Sequence, residues 1–343
     1  MTHLYSAYGL TLQSQVAIPG LGDTLPADDP SASSRISVAI GEPPGWRQGP
    51  PRQGLELLFP AESTSRNPIN ALRLYSRDNG TIFHLAYPDG AQFAIDGETR
   101  SIWCWGPTSL TLEDLATYIV GPVLGFILRR RGILALHASC FCYGEHAFAV
   151  SGGPQSGKST TAAALALRGL PILCEDITAL REQEGNFLAS PGYPRVNLWP
   201  DSAASVGEST SDLPRITPNW EKQYLPLNEG RTSFECHPRP LAAVYIIAPR
   251  EASDAAPRIE RIGPRHATLL LVQNTYMNYL LEKAQRAAEF DALVQLVSRV
   301  ALRRLVPRSD LASMNALSDL LEADAAQVLA EREAEQFAKP ASS

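Results

Sequence analysis

The sequence predicts an α/β protein in which a β-rich N-terminal domain precedes a core of alternating strands and helices. Three observations support this class. Residues 1–110 contain short apolar runs separated by Pro, Gly, Asp and Ser, as is typical of strands and turns. Residues 146–168 then read as a strand, a Gly-rich loop and a helix, and another apolar run follows at 171–180. We therefore predict an N-terminal domain at 1–110, a core domain at 111–325 and a helical or disordered tail at 326–343.

The composition indicates a chain that can build a core, and it limits the classes of partner. Hydrophobic residues make up 44% of the chain and charged residues 19%, with a net charge of −6 and a pI near 5.6. Nucleic-acid-binding proteins usually carry a basic surface, which this balance does not favour. The most apolar segment, 115–128, is too short to cross a bilayer, and the N-terminus lacks the pattern of a signal peptide. We expect a cytoplasmic protein with neither a nucleic-acid nor a membrane partner.

The cysteines indicate thiols in a reducing compartment. Their number is odd, and no Cys-x-x-Cys pair is present. A zinc site formed by His137, Cys140 and Cys142 lacks the usual ligand spacing and is rejected. The five cysteines are Cys104, Cys140, Cys142, Cys174 and Cys236.

In the first 131 residues the pattern predicts seven strands and then one helix. Asp78-Asn79-Gly80 and Asp89-Gly90 are predicted hairpin turns. The helix is predicted from 111 to 131, and it begins with Thr-Leu-Glu-Asp, a capping box with Asp in place of the usual Glu. The predicted strands are 5–18, 36–40, 55–59, 71–75, 81–87, 91–95 and 101–105.

Beyond residue 131 the predicted elements alternate. The segment 202–230 is rich in Ser, Pro, Glu and Asn and is predicted to be a long loop. Residues 264–325 hold two or three predicted helices, with apolar positions near a period of 3.6. The other predicted elements are strands at 134–141, 146–151, 171–180 and 241–248 and a helix at 158–168.

Residues 152–159, Gly-Gly-Pro-Gln-Ser-Gly-Lys-Ser, match the phosphate-binding P-loop pattern G-x-x-x-x-G-K-S. Its glycines let the backbone wrap around a phosphate, and the following helix adds the positive end of its dipole. Lys158 is expected to reach the β- and γ-phosphates, and Ser159 to ligate Mg²⁺. A structural Gly-rich turn is the alternative, which the flanking strand and helix disfavour. We therefore expect ATP and Mg²⁺ as cofactors, and the predicted nucleotide-binding residues are Gly152, Gly153, Gln155, Ser156, Gly157, Lys158, Ser159 and Thr160.

An acid pair, Glu175-Asp176, follows Lys158 by 17 residues and falls in the next predicted strand. Small kinases place their acids there, because one carboxylate must accept the proton of the attacking hydroxyl and the other helps to hold Mg²⁺. A charged strand end is the alternative. His137 lies in the apolar strand before the loop and is either a core histidine or, if paired with one of the acids, an orienting group or proton shuttle.

Three marks in this order resemble the HPr kinase/phosphorylase family: Leu-His-Ala-Ser at 136–139, the P-loop, and the acid pair. The family usually has Asp-Asp, so Glu175 is a departure that conserves charge. The resemblance implies a Mg²⁺/ATP-dependent serine kinase with an HPr-kinase-like P-loop core, in which Asp176 is the general base. The implied catalytic set is His137, Lys158 and Asp176, and Ser159 and Glu175 hold the metal. Members of this family often assemble, which implies a homo-oligomer.

Further phrases resemble one branch, the HPr-kinase-like proteins of peptide-modification clusters, which include kinases for the C-terminal serine of lasso-peptide precursors. The phrases lie at 5–10, 192–201, 273–276 and 305–308. The implied acceptor is a small peptide. Arg195 is a predicted clamp for phosphate or a peptide carboxylate, or else a surface arginine, and Asp201 is a predicted Mg²⁺ or peptide contact, or else a helix N-cap. Because no equivalent of the phosphorylase loop is evident, we expect kinase activity without phosphorylase activity.

Two other functions compete with this interpretation. A metabolite kinase of the shikimate or gluconate type would begin near its P-loop and often carries Asp-x-Asp, whereas this chain has about 150 residues before the loop and adjacent acids. A nucleotide-binding regulator without transfer activity is the second alternative. Intact Lys158, Ser159 and Asp176 argue against it.

Overall fold

A computed structural model describes residues 2–22, 35–46, 55–59, 72–209, 211–253, 255–310 and 314–338. The chain forms two compact units. The first combines Met1–Arg131 with Arg215–Glu221, and the second combines Gly132–Pro214 with Lys222–Ser343. Both contain sheets and helices, in agreement with the predicted α/β class. The domain limits predicted at residues 110 and 325 remain predictions.

The first unit contains a sheet that has eight strands in the described part of the chain, in the order β1-β2-β3-β8-β7-β6-β5-β4. The pairs β2–β3 and β3–β8 are parallel, and the others are antiparallel. The strands are β1 (His3–Ala7), β2 (Leu10–Ser14), β3 (Arg35–Ile40), β4 (Leu55–Phe59), β5 (Arg73–Arg77), β6 (Ile82–Ala86), β7 (Gln92–Asp96) and β8 (Ser101–Trp105).

Turn residues divide the first unit much as the sequence predicts, with one correction. The predicted strand 5–18 is a hairpin, because Tyr8 and Gly9 both adopt positive φ, at 57° and 71°, and reverse the chain. The predicted turn at Asp78-Asn79-Gly80 is confirmed, since all three residues have positive φ and join β5 to β6. The predicted strand at 71–75 begins at Arg73, and residue 71 lies outside the described residues.

The predicted helix at 111–131 consists of two α-helices joined by a wider turn. Helix α1 spans Leu112–Tyr118, a π-helical turn spans Ile119–Val123, and α2 spans Leu124–Arg130. Pro122 has no N–H to donate, so the regular hydrogen-bond ladder cannot pass through it unchanged. The predicted capping box is confirmed: the Thr111 N–H donates to Asp114 Oδ2 at 2.8 Å, and the Asp114 N–H donates to Thr111 Oγ1 at 3.3 Å.

The second unit contains the P-loop sequence. Its strands are β9 (Leu134–Tyr143), β10 (His146–Ser151), β11 (Ile172–Cys174), β12 (Ile177–Gln183), β13 (Asn186–Ala189), β14 (Arg195–Leu198), β15 (Gln223–Pro226), β16 (Arg239–Ile247), β17 (Arg258–Arg261) and β18 (Ala301–Val306). Its helices are α3 (Lys158–Leu167), α4 (Pro200–Ser205), α5 (Pro264–Gln273), α6 (Lys283–Arg299) and α7 (Met314–Ala338), with a 3₁₀ turn at Asn278–Leu280.

The main sheet of this unit has the order β10-β9-β12-β13-β16-β18-β17, and β14 and β15 form a separate pair. Strand β16 also pairs with β10, so the five strands from β10 to β16 in this order form a closed ring of pairings. Strand β16 is parallel to both β10 and β18, which brings the carboxyl ends of these three strands to one edge. Phe141, Phe148 and Tyr245 stack in the core with ring centroids 5.4–6.5 Å apart, and α3 and α7 contribute to the same cluster.

Three predictions of local structure in this unit are wrong. The predicted strand 171–180 is interrupted at Glu175 and Asp176, because Asp176 has a left-handed backbone with φ 68°. The predicted loop 202–230 contains part of α4 and all of β15. The predicted helical region 264–325 contains β18, whose short run Ala-Leu-Arg-Arg-Leu-Val fits a helix and a strand equally well.

Helix α7 forms the C-terminal end of the described chain. Helix α7 continues through residue 325 to Ala338, and residues 339–343, where disorder was predicted, lie outside the described residues. Within the described part of the chain, we find no helix with the length and apolar character needed to span a bilayer.

Candidate active site

The P-loop sequence connects the end of β10 to the beginning of α3. Gly157 is the N-cap of α3 with φ 109°, and Gln155 also has a positive φ, 60°. A Cβ at Gly152 would lie 2.8 Å from Ser156 Oγ, so any other residue here would displace the Ser156 side chain. Residues 152–157 thus form a tight loop and residues 158–160 the first turn of α3, where backbone N–H groups and the helix dipole favour an anion.

Lys158 is folded back over this loop. Its Nζ donates to the carbonyl oxygens of Gly152 and Gly153, both at 2.9 Å, and only 7% of the residue is exposed. Burial lowers the pKa of Lys158, and the charges of Asp176 and Glu175 oppose that shift. The ammonium group therefore lies near the acid pair, bound to carbonyls that an incoming phosphate can replace.

The acid pair lies at the break between β11 and β12. The left-handed backbone at Asp176 turns the chain there, a conformation that Asp adopts more readily than most residues. As a result the two side chains have different surroundings. Glu175 is 2% exposed and hydrogen-bonds to Ser159, whereas the Asp176 side chain is 36% exposed and pairs with His137.

Glu175 receives three hydrogen bonds. Ser159 Oγ donates to Oε1 at 2.6 Å, and Asn197 Nδ2 and Tyr193 Oη donate to Oε2 at 3.2 Å and 3.5 Å. Burial raises the pKa of Glu175, while the positive charge of Lys222 acts in the opposite direction. Hydroxyl and carboxylate oxygens are the donors that Mg²⁺ prefers, so Ser159 and Glu175 fit the predicted metal pair.

Asp176 is held on both carboxylate oxygens. His137 Nε2 lies 3.2 Å from Oδ1, and Tyr276 Oη donates to Oδ2 at 3.3 Å. Burial disfavours the charge on Asp176, but the hydrogen bond and charge of His137, with Lys222 and Lys158, outweigh it and lower the pKa to about 2. Asp176 is therefore a carboxylate at neutral pH and can accept a proton.

Strand pairing explains how His137 reaches Asp176. His137 on β9 is the register partner of Ile177 on β12, the residue next to Asp176. The His137 N–H donates to the Asn274 carbonyl at 2.8 Å, and the rings of His137 and Tyr276 meet edge to face at 5.8 Å. The structure thus brings together His137, Lys158 and Asp176, which are far apart in the sequence.

Arg195 and Asp201 have different surroundings. Arg195 is 5% exposed, and its guanidinium carbon lies 5.2 Å from the ring centroids of both Tyr193 and Tyr224. Its Nε and Nη2 are buried and have no hydrogen-bond partner within the described residues. Asp201 is exposed in the first turn of α4, whose N-cap is Trp199, and in the described structure no hydrogen bond joins it to the acid pair.

Four contributors were missed as site residues: Tyr193, Asn197, Lys222 and Tyr276. Tyr193, Asn197 and Tyr276 occur in the phrases at 192–201 and 273–276, but the sequence does not reveal that their side chains meet the acid pair. Lys222 lies in the region predicted to be a loop, and no sequence signal identified it.

The five cysteines form no disulfide, and only Cys236 is exposed. In the described parts of the chain, the grouping of possible metal ligands with suitable spacing is Glu235, Cys236 and His237. Arg239 already pairs with Glu235 at 2.8 Å, and its positive charge disfavours a cation there.

No family model matches the chain, and no curated protein matches it. Among solved structures, the HPr(Ser) kinase/phosphatase from Coxiella burnetii aligns with 60% of this chain and 98% of its own chain, at 11% sequence identity and a TM-score of 0.29. A TM-score this low carries no argument, so the functional case depends on the site described above.

Proposed function

We propose that the protein is an ATP- and Mg²⁺-dependent serine kinase of the HPr-kinase-like type. The observation that carries the proposal is the position of Glu175 and Asp176 beside the loop. One acid is hydrogen-bonded to Ser159 at 2.6 Å, and its neighbour is an ionised carboxylate paired with His137 at 3.2 Å. A purely structural turn would not need Lys158, a pair of oxygen ligands suited to Mg²⁺ and the carboxylate of Asp176 within one cluster.

Each residue has a distinct role in the proposed transfer. The serine oxygen attacks the γ-phosphorus as the bond to the β–γ bridging oxygen breaks and ADP leaves, and the hydroxyl proton passes to Asp176. Lys158 and the N–H groups of the loop stabilise the charge on the phosphates. His137 and Tyr276 fix the orientation of the Asp176 carboxylate. Mg²⁺, held by Ser159 and Glu175, would supply neutralisation of the phosphate charge.

The proposed acceptor is the C-terminal serine of a small peptide, such as a lasso-peptide precursor. Within the described residues, Arg195 forms no ion pair, and a buried guanidinium without an anionic partner is costly, so Arg195 is suited to bind a carboxylate or phosphate of the bound acceptor. Asp201, exposed on α4, would contact the peptide outside the cluster. In this proposal residues 111–325 are the kinase domain, 1–110 and 326–343 are appended to it, and the protein works as a cytoplasmic homo-oligomer without nucleic-acid or membrane partners.

The test is a transfer assay with mass detection. The protein is incubated with MgATP and synthetic copies of the small peptides encoded beside its gene, each compared with a copy in which the C-terminal Ser is replaced by Ala. We expect a gain of one phosphate group on one peptide and none on its Ala copy. Transfer to shikimate- or gluconate-like acids, with no peptide modified, would instead establish the metabolite-kinase alternative. Nucleotide binding with no transfer to any acceptor would favour the regulator.

A further inference from the structure

The carboxyl ends of β10, β16 and β18 lie side by side. Ser151 at the end of β10 is the register partner of Ile246, and Ile247 at the end of β16 is the partner of Leu305. The segments that follow these strands are the P-loop, the turn containing Arg250, and the turn containing Arg308. Ligands of α/β proteins bind at the carboxyl ends of parallel strands, so these three segments are placed to surround one ligand.

A pocket opens between these segments and α3. Its lining includes Gly157 of the loop and three charged residues, Arg250, Arg308 and Asp310. Ile247, Leu305 and Met314 form the apolar wall of the pocket. An apolar wall beside this loop suits the nucleoside part of a nucleotide, whose base is aromatic and largely apolar on its faces.

Arg250 lies directly against the loop. Its Nη2 is 3.3 Å from the position that a Cβ on Gly157 would take, so the guanidinium covers the N-cap of α3. Arg250 is exposed, and among the described residues its side chain forms neither a hydrogen bond nor an ion pair. The neighbouring Arg308, in contrast, pairs with Asp310 at 2.6 Å.

The charges around Arg250 favour an anion there. The N-terminus of α3 carries partial positive charge, and Lys158 lies on the same loop. A second cation placed against this terminus is repelled by both charges, and an anionic ligand bound between them relieves the repulsion. Lys158 Nζ is bound at Gly152 and Gly153, the start of the loop, and is expected to meet the terminal phosphates, whereas Arg250 lies at Gly157, the end of the loop.

We propose that Arg250 binds the α-phosphate of the nucleotide, the phosphate attached to the sugar, while the apolar wall holds the nucleoside. The inference rests on the proposed function to the extent that it requires a nucleotide in the P-loop. It differs from that function in assigning a contact that ATP and ADP share. Arg250 is thereby a binding residue for both substrate and product.

The test compares nucleotide affinities by calorimetry. MgATP and MgADP are titrated into the wild-type chain, into Arg250→Ala, and into Arg265→Ala, a control that removes an exposed arginine from α5. We expect Arg250→Ala to weaken both nucleotides equally, by about tenfold, which corresponds to the loss of one charge-assisted hydrogen bond. Arg265→Ala should leave both affinities unchanged. Equal melting temperatures would show that the variants are folded.

Several outcomes separate this inference from the proposed function. Unchanged affinities in Arg250→Ala would overturn the inference, as would a loss confined to ATP, which would place Arg250 on the γ-phosphate. If the wild-type chain binds both nucleotides but phosphorylates nothing, and Arg250→Ala weakens both, the kinase proposal is contradicted and the α-phosphate contact is supported. A wild-type chain that binds neither nucleotide would overturn both.

Discussion

Replacement of Asp176 by Asn removes the proposed base with little change in shape. Asparagine is the suitable substitution because residue 176 has φ 68°, and Asn adopts the left-handed region as Asp does. Alanine would add roughly 1–2 kcal/mol of backbone strain and would confuse a catalytic loss with a structural one. The amide also retains an oxygen and a nitrogen that can meet Tyr276 and His137.

The expected magnitude follows from the two roles of the side chain. The pair with His137 has side chains 29% and 36% exposed, so its loss should lower the free energy of unfolding by no more than about 1 kcal/mol. Loss of a general base usually reduces the rate of transfer by about 10²–10⁴-fold. Among the described residues, Asp176 forms no hydrogen bond to the backbone of the loop at 152–157. The affinity for MgATP should therefore change by no more than about threefold, which is under 1 kcal/mol.

The assay measures transfer to the serine peptide under single-turnover conditions, with MgATP binding measured separately. Glu182→Gln is the matched control, because it neutralises an exposed carboxylate farther along β12 that pairs with Arg299. Transfer by Asp176→Asn at the wild-type rate would refute the base assignment. A variant that no longer binds MgATP would also refute it, since the residue would then act in nucleotide binding.

Two further predictions concern the metal pair and the first unit. Glu175→Gln removes the charged partner of Ser159, so ATP affinity in Mg²⁺ should fall by about tenfold or more while affinity in EDTA stays the same; equal losses in both would contradict a metal role. Burial lowers the pKa of His84 below its ordinary value of 6.5. The unfolded chain therefore takes up a proton first as the pH falls below 6.5, and stability should decline by at most about 1.4 kcal/mol per pH unit. Denaturant midpoints at several pH values should show a smaller decline for His84→Phe than for the wild type, and no such difference for the control His266→Gln; identical slopes in all three would exclude the effect.

Much of the local structure could be predicted because it depends on neighbours in the chain. The capping box at Thr111 and the hairpin turn at Asp78-Asn79-Gly80 use residues within four positions of each other. The succession of strand, Gly-rich loop and helix at 146–168 has the same character. Strand β18 was missed because its six residues fit two periodicities, and its pairing with β16 and β17 is what selects the strand.

The candidate site was predictable only in part. Its main members could be proposed from their types and order, and the structure brings His137, Ser159 and the acid pair together. Their roles remain predictions. Tyr193, Asn197 and Tyr276 could not be identified, because hydrogen bonds to Glu175 and Asp176 depend on where distant segments cross. Lys222 could not be identified either, because only the fold brings its charge close to both acids.

The sequence by itself determined the strand, Gly-rich loop and helix at 146–168, because glycines, one lysine and a helix start form a local arrangement. Tertiary structure alone decided that the two adjacent acids differ. The left-handed backbone at Asp176 directs Glu175 into a buried network with Ser159 and leaves Asp176 accessible beside His137. Burial raises the pKa of Glu175, whereas the charges of His137, Lys222 and Lys158 lower that of Asp176, and these three residues are distant from it in the chain.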